Sequence, residues 1–106
     1  MPPKANLRLS AFRAYLTGDK GLSAASAETY VKHVRRTLNA TKDFETLNPT
    51  EEKLLAYDGA LSVAMRDGFR AAWGHFAEFM RVKFNTAVTQ APSKRAGHAP
   101  AAGSQG

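Results

Sequence analysis

Residues 69–84 read Phe69-Arg70-Ala71-Ala72-Trp73-Gly74-His75-Phe76-Ala77-Glu78-Phe79-Met80-Arg81-Val82-Lys83-Phe84. Phe69, Ala72, Trp73, Phe76, Phe79, Met80 and Phe84 fall at i, i+3, i+4, i+7, i+10, i+11 and i+15, one broad apolar face of an α-helix. Trp73 lies in the middle of that face, which assigns it to the core rather than to an interface. Two points upstream compete for the start of this helix, since Ser62 and Asp67 are both capping residues and Gly68 interrupts the run. Gly74 costs roughly 1 kcal/mol of helix propensity relative to alanine, and reads as the site of a close helix crossing.

Working toward the N-terminus, the same period recurs. Asn48-Pro49-Thr50-Glu51-Glu52 opens a short helix with a capping residue, a proline in the first turn and two carboxylates on the positive end of the helix dipole. Its apolar residues are Leu54, Leu55, Tyr57 and Leu61. Asn39 to Leu47 reads as a loop. Before it, Ser23 caps a helix with the stripe Ala27, Tyr30, Val31, Val34 and Leu38. Ala5, Leu9, Phe12 and Leu16, with Tyr15 alongside, form the first helix, and Gly18 and Gly21 suit the positive φ of its ending. No alternating Val/Ile/Thr run competes, and isoleucine is absent. The expected fold is all-α: a single-domain orthogonal bundle of four or five helices over residues 1–85. The Ala/Pro/Gly/Ser-rich stretch 86–106 has no aromatic residue to bury and reads as a disordered tail or linker.

A chain of 106 residues, with no cysteine, accommodates one domain and excludes disulfide frameworks, thiolate zinc sites and thiol nucleophiles. It offers neither a leader-like apolar segment nor an uncharged run of about 18 residues. A cytoplasmic, non-membrane protein is therefore expected. The formal net charge of +6 points to a polyanionic partner, and its distribution is uneven. Residues 1–42 carry eight bases and two acids, and residues 43–62 one base and five acids. Residues 63–85 carry four bases and two acids. Lys32, Arg35 and Arg36 lie opposite the Tyr30/Val34/Leu38 stripe, and Arg66, Arg70 and Arg81 make a second row, with Lys83 nearby. Like charges at i, i+4, as at Lys32 and Arg36, oppose helix formation slightly. An anionic partner would offset that, whereas a plain solvated face would merely tolerate it.

Other chemistry finds little support. His33, His75 and His98 have no metal-ligand spacing, and His33 is placed on the wet face of its helix. Gly18-Asp19-Lys20-Gly21 lacks phosphate-loop spacing, and Glu51 and Glu52 read as dipole partners rather than acid–base catalysts. Neither a cofactor, a metal nor a small-molecule substrate is expected.

Gly21-Leu22-Ser23-Ala24-Ala25-Ser26-Ala27-Glu28-Thr29-Tyr30, with Val34 and Leu38 following, resembles the core-binding domain of tyrosine recombinases, the phage integrases among them. That family typically reads G-L-S-x-x-T-x-x-x-Y-x-x-x-L, with Ser26 here in the threonine position. Phe12-Arg13-Ala14-Tyr15-Leu16 is similar to the family's first helix, Asn48 to Tyr57 to its third and Arg70 to Met80 to its last. The resemblance spans Leu7 to Lys83. It implies a SAM-like helical domain that forms half of a clamp on double-stranded DNA, in a bacterial or phage setting. Carried over by position, the DNA-contacting residues are Ser23, Ser26, Lys32, Arg35, Arg36, Arg66 and Arg70, and the basic row adds Arg81. The family's catalytic domain has no counterpart in this sequence, so DNA binding without catalysis is expected. Tyr15, Tyr30 and Tyr57 sit on apolar stripes and are read as core residues, not nucleophiles. The competing readings are a helical protein-interaction module that docks a recombinase catalytic domain or other protomers, and a small DNA-binding regulator of helix-turn-helix type. The Thr17–Ser23 connection is long for the latter's turn.

Overall fold

Ser62 settles where the aromatic stripe begins its helix. Its hydroxyl accepts the Met65 amide at 3.3 Å, satisfying one of the donors that every helix N-terminus leaves over. A computed structural model describes residues 3–92. Among them the helices are α1 (Pro3–Gly18), α2 (Ala24–Thr41), α3 (Glu51–Ala60) and α4 (Val63–Phe84), with no strand. The all-α expectation holds, with four helices rather than five: α4 runs through Gly68 without a break. Asn85 ends it at φ 51°, and its amide and that of Thr86 bond back to Arg81 and Met80 carbonyls.

Local capping sets the other boundaries. Ser23 Oγ accepts the Ser26 amide at 3.1 Å, as the sequence predicts. Gly21 takes φ 69° between α1 and α2, whereas Gly18 is still helical. The end of α2 differs from expectation, because Asn39, Ala40 and Thr41 continue the helix and Lys42 caps it at φ 60°. Buried Thr37 and Thr41 fit this extension by donating their hydroxyls to the carbonyls one turn back, His33 at 2.8 Å and Thr37 at 2.9 Å. The cap of α3 is Thr50, which accepts the Lys53 amide at 3.2 Å, so Pro49 precedes the helix instead of opening it. Asn48 is used elsewhere: its Oδ1 accepts from both the amide (2.8 Å) and the hydroxyl (3.0 Å) of Thr89.

The core forms where the α4 stripe meets α2 and α1. Phe12 lies edge-on to Phe76 at 5.3 Å between ring centroids, and Phe79 packs at 5.3 Å against both Phe12 and Tyr15. Trp73 extends the cluster through Phe76 at 5.1 Å. Aromatic pairs of this kind contribute roughly 0.5–1.5 kcal/mol each beyond the area they bury. Two members of the expected stripes are not core residues: Leu55 is 44% and Phe84 41% exposed. On the short α3, Leu54 and Asp58 take the inward positions, which turns Leu55 out. Phe84, on the last turn of α4, still meets Phe79 edge-on and lies under the Arg8 guanidinium at 3.9 Å.

The boundary expected at residue 86 moves. Trp73 Nε1 is buried and needs an acceptor, and the Thr89 carbonyl supplies it at 2.7 Å. With Asn48 holding Thr89 from the other side, residues 86–92 return to the bundle and bury Val88 and Pro92. The rest of the expected tail, 93–106, lies outside the described residues.

The glycine at a close approach is not the expected one. A Cβ at Gly74 would meet no atom within 4 Å, whereas one at Gly68 would come within 2.6 Å of His33 Nε2. Gly68 thus admits the His33 ring between α2 and α4, and Gly74 is simply a weak helix residue. Gly74→Ala should raise stability by about 0.5–1 kcal/mol in urea unfolding monitored by circular dichroism, since it adds helix propensity without a clash.

Candidate nucleic-acid interface

The helical period of α2 places Val31, Val34 and Leu38 inward, each no more than 1% exposed. Lys32 and Arg36 are thereby carried to the opposite, exposed side, with half-buried Arg35 on its flank. Lys42, the exposed cap residue, continues the run past the helix end. Elsewhere on the molecule most cations are committed to acids. Arg13 pairs with Glu28 (2.8 Å), Lys20 with Glu78 (3.2 Å), Lys53 with Asp43 (3.2 Å) and Lys83 with Asp19 (2.7 Å). Arg8 rests on Phe84 and donates to Met80 Sδ. Apart from Arg8, the cations without an ion pair among the described residues from Ala5 to Pro92 are Lys32, Arg35, Arg36, Lys42 and Arg81. Four of these five fall within eleven residues of sequence, on one helix and its cap.

Arg66 and Arg70, read from sequence as part of a second basic row, serve the fold instead. Arg70 donates Nε to Asp58 Oδ1 at 3.0 Å and Nη2 to Oδ2 at 2.8 Å, a two-pronged guanidinium–carboxylate pair. Those bonds raise the Arg70 pKa above the usual guanidinium value, partly offset by burial. Arg66 donates to the carbonyls of Asp58 (3.0 Å) and Leu61 (3.1 Å). Both arginines close the turn between α3 and α4 around a carboxylate that is only 7% exposed as a residue. The sequence spacing of 12 between Asp58 and Arg70 gives no local signal of this pairing.

Ser23 and Ser26 are exposed at the start of α2, where Ser23 accepts the Ser26 amide and donates its own hydroxyl to Ser26 Oγ at 3.2 Å. Tyr30 lies 5.0 Å from His75, and His33 abuts Gly68, so α2 and α4 run antiparallel. Arg81 therefore lies toward the Ser23 end of α2, and the α4 cations do not extend the Lys32–Lys42 group into a single row.

His33 is not on a wet face. Its ring is wedged against Gly68 and its Nδ1 is buried with no hydrogen-bond partner among the described residues. Burial, reinforced by the positive charge of Arg36, lowers its pKa below the usual imidazole value. At the other end of the bundle, the Lys20 ammonium lowers the pKa of Glu78. Burial first, then the Glu78 charge, raises that of the Tyr15 hydroxyl. Tyr15, Tyr30 and Tyr57 all pack against rings, on Phe79, His75 and Phe69 respectively.

Lys42 is not legible as a candidate site residue in the sequence, because the stretch from Asn39 reads as loop. Its one usable sign is the Thr37/Thr41 pair, spaced so that each hydroxyl can bond one turn back. Among the described residues, no group of three His, Cys, Asp or Glu side chains could hold a metal ion, and no helix is long and apolar enough to cross a membrane. Comparison with protein-family models, curated proteins and solved structures finds no match to this chain.

Proposed function

We propose that this protein binds double-stranded DNA, through phosphate contacts from the outer side of α2, and does no chemistry on it. The observation that carries the reading is the concentration of cations without acidic partners at Lys32, Arg35, Arg36 and Lys42, on a molecule whose other described cations are mostly paired. Four such charges along one helix and its cap suit a phosphate backbone, which takes its affinity from counterion release and asks for little base contact. The likeness of Gly21–Tyr30 to the core-binding domain of tyrosine recombinases favours the same helix. On this reading Ser23 and Ser26 are well placed for phosphates that pass the start of α2, Arg81 is peripheral, and Arg66 and Arg70 shape the domain. A SAM-like relationship, a role in recombination or integration, and a bacterial or phage cytoplasm belong to the same proposal.

Salt titration tests it. With about four phosphates neutralised, log K for a duplex should fall against log[salt] with a slope of about −4. Association with a second protein and no salt-dependent binding to DNA would replace this reading with that of a protein-interaction module.

A further inference from the structure

Beside the α2 cations, Arg35, Arg36, Asn39 and Phe44 line an open notch of ≈ 320 Å³. That lies at the small end of the range for ligand sites, about 300–1,000 Å³. Phe44 is unlike every other aromatic residue of the chain. The remaining phenylalanines, the tyrosines and Trp73 all pack ring against ring, whereas Phe44 has no ring contact among the described residues. It is only partly buried, packed against the core and also lining the notch.

We propose that this notch receives one unstacked nucleotide of DNA: an unpaired base lies on the Phe44 ring, the Asn39 amide meets its edge, and Arg35 and Arg36 hold the adjoining phosphates. An aromatic face beside two guanidinium groups is the combination that single-stranded nucleic acid demands, because every base has a π-face and every linkage a negative charge. An amide beside them supplies both a donor and an acceptor, which base edges require. The inference rests on the nucleic-acid reading above and adds to it a preference for DNA with an unpaired base.

The full chain is titrated with a perfect duplex and with the same duplex carrying one extra, unpaired nucleotide. The unpaired form should bind about tenfold more tightly, within the effect of stacking one base on an aromatic ring. In Phe44→Leu, which keeps an apolar side chain on the core, the ratio between the two should fall to near one. With 5-iodouracil as the unpaired base, irradiation of the wild-type complex should crosslink to Phe44, a readout that needs no variant to fold. Equal affinities, or a crosslink mapped to another region, would overturn the notch assignment. If equal affinities come with a salt slope of about −4, the duplex reading stands and the notch falls. Binding of the unpaired form without binding of the perfect duplex would do the reverse, and binding of neither would remove both.

Discussion

Arg35→Glu combined with Arg36→Glu should weaken duplex DNA binding at least about a hundredfold at moderate salt, while far-UV circular dichroism stays unchanged. The size follows from the kind of change. Each substitution removes a favourable charge and sets a carboxylate against phosphates, and like-charge juxtaposition at an interface costs several kcal/mol, of which each 1.4 kcal/mol is about tenfold in affinity. Neither side chain makes an ion pair among the described residues, so no internal acid loses its partner. Reversal of Arg36 also relieves its repulsion of a protonated His33, and the fold has no reason to suffer. Fluorescence anisotropy with a labelled duplex measures the affinity. Unchanged binding by the doubly reversed protein would show that α2 does not face the DNA.

The second large effect concerns stability. Asp58→Ala should lower unfolding free energy by about 3 kcal/mol, the low end for breaking a largely buried ion pair. In a domain of this size that corresponds to a melting temperature on the order of 15 °C lower. The cost comes from what is left behind. Arg70, with a side chain 20% exposed, loses both of its carboxylate bonds, and Arg66 keeps only its two carbonyl acceptors. Arg70→Ala should be destabilising too, and the double variant should cost clearly less than the sum, since the two groups form one unit. Additive costs would show that the pair is incidental. The salt slope of DNA binding by Arg70→Ala, compared with that of the parent, separates its role in the turn from the phosphate contact that its place in the sequence suggests: loss of a phosphate contact reduces the slope by about one.

Much of the fold is legible in the sequence because its determinants are local. The seven apolar positions from Phe69 to Phe84 follow the helical period, and Ser23 and Ser62 are capping residues whose hydroxyls do cap. The errors arise where a local signal is degenerate. Thr50 and Asn48 are both good caps, and only the tertiary demand of Thr89 on Asn48 decides between them. Leu54 and Leu55 are equally apolar, yet a ten-residue helix presents one narrow face to the bundle. The stretch after Thr86 is poor in large apolar residues, but an indole donor 16 residues away gives Thr89 a reason to return.

The candidate site divides along the same line. Periodicity alone marks Lys32, Arg35 and Arg36, since a residue opposite a buried stripe must face outward. Arg66 and Arg70 satisfy the same rule of spacing and are nonetheless occupied, because helix periodicity says which side a residue faces and nothing about the carboxylate waiting there. Composition determined the basic balance, and local spacing determined the all-α class and the existence of α2 and α4. Only the tertiary structure decided which charges are neutralised within the domain and which have no acidic neighbour among the described residues: ion pairing depends on distances of about 3 Å between residues far apart in the chain, as Asp58 with Arg70 and Lys83 with Asp19 demonstrate.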